Sequence, residues 1–220
     1  MLKQVPSFQD SGIETILFDL GGVLIDVDYH AAAHAFDILG FADFDVLYGK
    51  AKQDHLFDGF ETGALSPKQF RDRIRELHGC PMSDAQIDAC WNAMLGSIPL
   101  ERIALLERLK ARYQVLLLSN TNAIHVPAFE AIVARENGIT DFKGLFHGAY
   151  YSCEIGLRKP DASAFHYVLA QHSASAGTTL FIDDSIQHVE GALKAGLRAE
   201  HLELANEDVV ALVERLGLLA

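Results

Sequence analysis

The sequence is poor in positive charge and has no long apolar run. Of its 220 residues, 18 are Lys or Arg and 30 are Asp or Glu, so the formal net charge is −12. The absence of a basic cluster argues against a nucleic-acid backbone or an anionic membrane as the main partner. No stretch approaches about 18 uninterrupted apolar residues, the length that predicts a membrane span. The opening residues, MLKQVPSFQDSG, have no apolar segment of the secretory type, so we expect a cytoplasmic protein.

Cysteine is also scarce. Cys80, Cys90 and Cys153 are odd in number and have no CxxC spacing, a pattern that fits reduced thiols better than a disulfide framework or a structural zinc site. We expect reduced thiols that fill the core. The histidines form no HExxH motif, and we interpret His30 and His34, which would share one helix face, as structural. The sequence does not indicate an oligomeric state.

The first apolar run ends at an acid. Ile16, Leu17 and Phe18 have strand propensity, and Asp19 follows them directly, with a glycine pair at Gly21 and Gly22. In a parallel sheet, ligands bind beyond the carboxyl ends of the strands. Asp19 is therefore a candidate nucleophile. The alternative is that it only starts a turn, as Asp often does beside Gly.

Residues 23–25 continue an extended pattern, and from residue 29 to about 99 the pattern is helical throughout. The predicted helices span residues 29–39, 44–56, 66–77 and 83–95. Ser66 before Pro67, and Ser83 before Asp84, are typical helix starts. We interpret residues 29–99 as a helical cap domain inserted into a core domain made of residues 1–28 and 100–220.

After residue 100, helix and strand patterns alternate. Helices are predicted at 100–112, 122–137, 162–171, 186–195 and 207–216, and strands at 114–118, 145–152, 178–182 and 199–204. Such alternation predicts right-handed crossovers and a parallel sheet covered on both faces. The fold class is therefore α/β, with a Rossmann-like parallel sheet core and an inserted all-helical cap.

Polar residues follow several of these strands. They are Asp19, Ser119 with Asn120, Lys159, and Asp183 with Asp184. Each taken alone has an ordinary structural explanation as a turn, a surface cation or a helix cap. Because parallel strands end at one edge of a sheet, we expect the group to meet there.

Together these residue types suit phosphoryl transfer. The acids can hold Mg²⁺, which prefers oxygen ligands and screens a carboxylate nucleophile from an anionic substrate. Ser119 can donate its hydroxyl to a phosphoryl oxygen, and Lys159 can neutralise another. Pro160, as a first helical residue, would place a helix N-terminus near the same anion.

Four short motifs carry a resemblance. Asp19-Leu20-Gly21-Gly22-Val23, Ser119-Asn120, Lys159-Pro160 and Phe181-Ile182-Asp183-Asp184-Ser185 resemble, in order, the motifs of the haloacid-dehalogenase-like (HAD) phosphohydrolase superfamily. The match runs over residues 15–196, and the helical block resembles that family's C1 cap.

The resemblance implies specific roles. Asp19 would form an aspartyl phosphate that water hydrolyses. Mg²⁺ would be held by Asp19, the carbonyl of Gly21 and Asp184, with Asp183 in the shell or acting through water. Ser119 and Lys159 would bind the phosphoryl group, helped by Asn120 and by the backbone amides after Asp19, at Gly21 and Gly22.

The cap carries a finer resemblance. Phe60-Glu61-Thr62-Gly63, followed by residues 66–70, resembles the branch that includes bacterial alpha-D-glucose-1-phosphate phosphatase and the phosphatase domain of soluble epoxide hydrolase. This resemblance implies a phosphorylated small molecule, in particular a sugar phosphate, as substrate. Phe57, Phe60 and Glu61 are candidates to face it.

The sequence departs from the family at Gly21, where most of its phosphatases have a second Asp as general acid and base. Loss of such a group costs about 10²–10⁴-fold in rate. Asp26, Asp28 or His30 could replace it, or the leaving group could need little protonation, as in an anomeric or acyl phosphate. Gly21 also leaves open a metal-independent haloacid dehalogenase, or a slow phosphometabolite-binding protein. The acidic pair at 183–184 favours the Mg²⁺-dependent phosphatase over the dehalogenase.

Overall fold

A five-stranded, fully parallel sheet forms the centre of the molecule in the computed structural model, which describes residues 12–40, 56–79 and 81–219. The strands are β1 (Thr15–Phe18), β2 (Gln114–Ser119), β3 (Gly148–Tyr151), β4 (Thr179–Asp183) and β5 (Arg198–His201). Their order across the sheet is β3-β2-β1-β4-β5. The chain thus winds outward from β1 in one direction and then returns to the other side. Ligand sites in such sheets lie where the direction reverses, at the end of β1.

Helices cover both faces of the sheet. They are α5 (Leu100–Lys110), α6 (His125–Asn137), α7 (Ser152–Ile155), α8 (Ala162–Gln171), α9 (Ile186–Lys194) and α10 (Val209–Arg215). The numbering follows α1 to α4, which are the helices among the described residues of 29–40, 56–79 and 81–99. Successive strand residues point to opposite faces. Ile16 and Phe18 therefore join one buried cluster, whereas Leu17 joins another together with residues of α8 and α9. This two-sided burial confirms the predicted α/β fold class.

The helices between residues 29 and 99 have an apolar cluster of their own. They are α1 (Tyr29–Ile38), α2 (Leu56–Glu61), α3 (Pro67–His78) and α4 (Asp84–Asn92). Phe36, Phe60, Phe70 and Trp91 lie at the centre of this cluster, and from the later part of the chain Ile124 joins it. Both α3 and α4 start with capping boxes, at Ser66 and Ser83, as their start signals predicted.

Two local predictions were wrong. Residues 23–25 do not extend the strand: the amides of Leu24 and Ile25 both donate to the Leu20 carbonyl, so the chain turns back on itself beyond the two glycines. Pro160 is not a first helical residue, because α8 begins at Ala162 after the N-cap Asp161. The predicted helix at 44–56 falls almost wholly outside the described residues, as does Cys80.

The remaining minor predictions have simple outcomes. Cys90 is a buried free thiol and Cys153 a half-buried one. His30 and His34 are exposed on α1. Among the described residues, no helix is both long enough and apolar enough to cross a membrane.

Candidate active site

The nucleophile candidate Asp19 lies beside Asp183 at the carboxyl edge of the sheet. Strands β1 and β4 pair with Phe18 opposite Ile182, and the Asp19 amide donates to the Ile182 carbonyl at 3.0 Å. Asp19 and Asp183, the residues that follow this pair, therefore lie side by side. Two aspartates that are far apart in the sequence come together because of this register.

Lys159 joins these two carboxylates. Its side chain is fully buried, and its Nζ lies 2.5 Å from Asp19 Oδ1 and 2.7 Å from Asp183 Oδ2. The loop that carries it is held by Asn120, whose Nδ2 donates to the Lys159 carbonyl and whose Oδ1 accepts from the Lys159 amide, both at 2.9 Å. Asn120 thus positions the lysine through its backbone.

Further donors orient Asp183. The Ser185 amide donates to its Oδ1 at 2.7 Å, and His188 Nδ1, from the first turn of α9, lies 3.0 Å from its Oδ2. Burial acts to raise the pKa of Asp183, but the charge of Lys159 and the contact with His188 outweigh it and lower that pKa to about 2. Asp183 is therefore a carboxylate at neutral pH.

Asp19 responds differently to the same surroundings. Burial raises its pKa, and the nearby Asp183 adds to this, while Lys159 opposes both, and the pKa reaches about 6. For Lys159, burial lowers the pKa, but the two carboxylates more than compensate and raise it. The lysine is thus a permanent cation in this site.

Asp184 completes an acidic cluster. Asp19, Asp183 and Asp184 each offer an oxygen, and these oxygens lie within 4.8 Å of one another. Carboxylate oxygens are the protein ligands that Mg²⁺ prefers, so this donor set fits that ion. The three residues are those predicted as metal ligands, and the structure brings them together.

The glycine pair shapes the turn above this cluster. Gly22 has φ +76°, and a Cβ there would lie 2.3 Å from Asp184 Oδ2. Its amide donates to the Ile25 carbonyl at 2.8 Å, so the turn already uses the donor that was predicted to bind substrate. Gly21 lines the space above Asp19.

Two adjoining pockets open at this edge, and Gly21, Tyr29, Glu61 and Asn120 line both. The polar pocket has Asp19, Asp184, Ser185, His188 and Arg158 as its further lining. The apolar pocket contains Ser119, the buried last residue of β2, and is walled mainly by Ile25, Val27, Phe57, Trp91, Met94 and Leu95. Of the residues predicted to face the substrate, Phe57 and Glu61 line a pocket, whereas Phe60 is buried in the apolar cluster of α1 to α4.

The predicted substitutes for the missing acid lie elsewhere. Asp26 pairs with Arg102 at 2.8 Å, Asp28 caps α1, and His30 is exposed; none of them lines either pocket. Glu61 does, and its pKa is raised by burial despite the opposing charge of Arg158. Arg158 Nη2 lies 2.8 Å from Glu61 Oε2, and Arg158 Nη1 also pairs with Asp58.

Three residues that line the two pockets were not predicted from the sequence, namely Arg158, His188 and His125. Arg158 directly precedes Lys159, so its place in the loop was a usable signal. His188 lies in the first turn of a predicted helix, five residues after Asp183, so its closeness to that acid could also be predicted. His125 had no signal, because its contacts with Trp91 and Asn92 depend on how α4 packs.

This parallel sheet, with charged side chains clustered at its carboxyl edge, is typical of a hydrolase with an α/β core. The chain matches the family model of haloacid dehalogenase-like hydrolases over residues 13–196, and it belongs to that family.

Relatives with named activities agree with that membership. The chain is 30% identical over 182 residues, 80% of its length and 85% of the relative's, to a D-ribitol-5-phosphate phosphatase of Bacteroides thetaiotaomicron. It is 28% identical over 193 residues, 84% of its length and 88% of the relative's, to a sesquiterpene phosphatase of Aspergillus oryzae. A crystal structure of a HAD family enzyme from B. thetaiotaomicron, in complex with magnesium and inorganic phosphate, is 35% identical with a TM-score of 0.80, over 91% of this chain and 98% of that one.

Proposed function

We propose that the protein is a Mg²⁺-dependent phosphatase that hydrolyses a small phosphorylated metabolite through an aspartyl phosphate on Asp19. The observation that carries this proposal is the buried contact of Lys159 with Asp19 and Asp183, beside the third acid Asp184. The named phosphatase relatives and the neighbour with bound magnesium and phosphate support it.

In the proposed reaction a carboxylate oxygen of Asp19 attacks phosphorus, and the bond from phosphorus to the alcohol oxygen breaks. Lys159 holds Asp19 in place and neutralises charge on the phosphoryl oxygens. Ser119 and the Gly21 amide donate hydrogen bonds to those oxygens. Water then cleaves the acyl phosphate, which releases inorganic phosphate and restores Asp19.

Asp19, Asp184 and the Gly21 carbonyl would hold Mg²⁺, with Asp183 in its shell or acting through water. When bound, the ion screens the negative charge of nucleophile and substrate and orients the phosphoryl group. The closeness of the three acids supports this assignment.

We assign protonation of the leaving alcohol to Glu61. Gly21 has no acidic side chain, and Glu61 is a carboxyl group of the cap that lines the pocket containing Asp19. Its raised pKa keeps a protonated fraction closer to neutral pH than an ordinary Glu would have.

Residues 29–99 would act as a cap domain over a core of residues 1–28 and 100–220. Their separate apolar cluster supports this division. Glu61 and Phe57 from the cap, and Asn120 from the core, line the same pocket, so closure of the cap would exclude water and set specificity.

The test is Mg²⁺-dependent hydrolysis of p-nitrophenyl phosphate by the wild type, Asp19→Asn and Asp161→Asn. Asp161 is an exposed aspartate whose side chain makes no cap hydrogen bond, so it is a matched control. We expect turnover to vanish in Asp19→Asn and persist in Asp161→Asn. Equal turnover in all three proteins would refute the proposal, and metal-independent fluoride release from fluoroacetate would indicate a dehalogenase instead.

A further inference from the structure

The apolar pocket continues from the polar one through Gly21, Glu61 and Asn120, so it is the space beside Asp19 that can take the organic part of a substrate. The two named relatives act on chemically opposite groups, because ribitol phosphate is rich in hydroxyls and a sesquiterpene is a hydrocarbon skeleton. The lining of the pocket distinguishes these chemistries.

One wall of the pocket is a stack of flat rings. Phe57 and Trp91 have centroids 5.4 Å apart and planes 8° apart, and Trp91 and His125 have centroids 5.2 Å apart, also at 8°. Met94 and Val27 add aliphatic surface. These groups offer contact area and no charge.

Several polar side-chain atoms of the pocket are engaged by the protein. Asn122 Oδ1 accepts from the amides of Ile124 and His125, at 3.1 and 3.0 Å. His125 Nδ1 contacts Asn92 Oδ1 at 2.8 Å. Both amide atoms of Asn120 bind the Lys159 backbone. A polyol that entered would give up hydrogen bonds to water for each of its hydroxyl groups, and these engaged atoms could not replace them, which is costly.

We propose that the substrate is a phosphate monoester of a small apolar alcohol, whose hydrocarbon part packs against Phe57, Trp91 and Met94. The pocket volume is about 140 Å³. A cavity of about 150 Å³ holds a benzene molecule. The apolar group therefore has the size of a five- or six-carbon unit, linear, branched or cyclic. This inference rests on the proposed phosphatase function and replaces the sugar phosphate expected from the sequence.

The decisive comparison is n-pentyl phosphate against ribitol 5-phosphate, with phosphate release as the readout. Both have a five-carbon chain and a primary phosphate ester, and they differ by four hydroxyl groups. We expect kcat/KM to be at least 10-fold higher for pentyl phosphate. Equal values, or a higher value for ribitol 5-phosphate, would overturn the proposal.

A series from ethyl to octyl phosphate measures the pocket directly. Burial of one methylene is worth about fourfold in kcat/KM. We expect that slope up to five or six carbons and a plateau or decline beyond. A flat series contradicts an apolar pocket. If an alkyl phosphate is not turned over, its inhibition constant against p-nitrophenyl phosphate gives the same ranking.

Two methionine variants locate the effect. Met94 and Met82 are both buried in the apolar cluster of α1 to α4, but of these two only Met94 lines the pocket. Met94→Gln should lower the preference for pentyl over ribitol phosphate about three- to tenfold, whereas Met82→Gln should keep it even if it lowers stability. The same loss in both variants would count against the pocket.

The outcomes separate this inference from the proposed function. Asp19-dependent turnover of p-nitrophenyl phosphate without a preference for apolar esters refutes only the substrate class. Absence of Asp19-dependent turnover refutes the phosphatase itself.

Discussion

Any side chain at the position of Gly22 would collide with the side chain of Asp184. The positive φ of Gly22 disfavours side chains, and a Cβ at this position would come within 2.3 Å of Asp184 Oδ2. To avoid such a Cβ, Asp184 would have to move outward, and its oxygen would then leave the cluster formed with Asp19 and Asp183. The glycine therefore keeps the acidic cluster compact.

Gly22→Ala should weaken Mg²⁺ binding by at least 10-fold, measured as the Mg²⁺ concentration for half-maximal p-nitrophenyl phosphate turnover. Gly138→Ala is the control, because Gly138 has a similar φ of +71° but nothing within 4 Å of its Cβ. Both variants should lose about 1–2 kcal/mol of stability from the positive φ, and Gly22→Ala should lose more because of its contact with Asp184. An unchanged Mg²⁺ requirement in Gly22→Ala would show that Asp184 does not depend on this glycine.

Glu61 has two contacts that suggest different roles, since it lines the polar pocket and pairs with Arg158. A general acid matters most when the leaving group is a poor one, whereas a clamp on the cap affects all substrates alike. Substrates of different leaving-group pKa can therefore distinguish the two roles.

For Glu61→Gln we expect kcat to fall about 10²-fold or more with an alkyl phosphate and less than about threefold with p-nitrophenyl phosphate. Arg158 keeps its second partner, Asp58, in this variant. Equal losses with both substrates would assign Glu61 to cap closure alone.

Among single residues, the sequence predicted those that depend on local context. Asp19 directly follows β1, Asp183 is the last residue of β4, and Lys159 belongs to a short motif, so the sequence alone could predict their positions. The pairing of Asp58 with Arg158 joins residues 100 positions apart and depends on how α2 packs. No local signal encodes such a contact.

At the scale of elements, prediction worked where local signals decide the structure. The capping boxes at Ser66 and Ser83 and the left-handed Gly79 set the limits of α3 and the start of α4. Residues 23–25 have strand propensity but turn back, because hydrogen bonds to Leu20 replace the ladder of a strand. Propensity was outweighed there by the turn that Gly22 permits.

Just beyond the end of α2, the chain comes very close to α7. A Cβ on Gly63, which has φ +71°, would lie 2.4 Å from the carbonyl oxygen of Cys153. Cys153 belongs to α7, directly after β3. Because backbone cannot yield as a flexible side chain can, this glycine sets how closely α2 and Glu61 approach the site.

Gly63→Ala should therefore reduce kcat/KM at least 10-fold, because α2 must move away from α7 and carry Glu61 with it. Gly79→Ala is the matched control: its φ is +74°, and nothing lies within 4 Å of its Cβ. Urea unfolding should show a similar cost of about 1–2 kcal/mol in both variants from Ala at a positive φ. Full activity in Gly63→Ala would mean that this contact does not position the cap.

For the whole molecule, the acidic site makes folding depend on one internal cation. The sheet is buried on both faces, and its carboxyl edge holds Asp19 and Asp183 with little access to water. Lys159 compensates their charge from within. A buried charge without its partner is strongly destabilising, so removal of the lysine should lower the free energy of unfolding of the whole protein.

Lys159→Met should lower the free energy of unfolding by about 3–5 kcal/mol at pH 8, measured with urea in the presence of EDTA. Without the lysine, burial and mutual repulsion raise the pKa values of Asp19 and Asp183 in the folded state above those in the unfolded state. Stability is then fully present below the unfolded pKa and is lost as pH rises through the folded pKa. The loss should thus be smaller at pH 5 than at pH 8.

The control is Lys143→Met, which breaks a partly exposed pair with Glu154. It should cost less than about 1 kcal/mol at both pH values. A loss in Lys159→Met that does not change with pH would mean that the two aspartates are solvated in the folded state, and that Lys159 is not what allows them to be buried together.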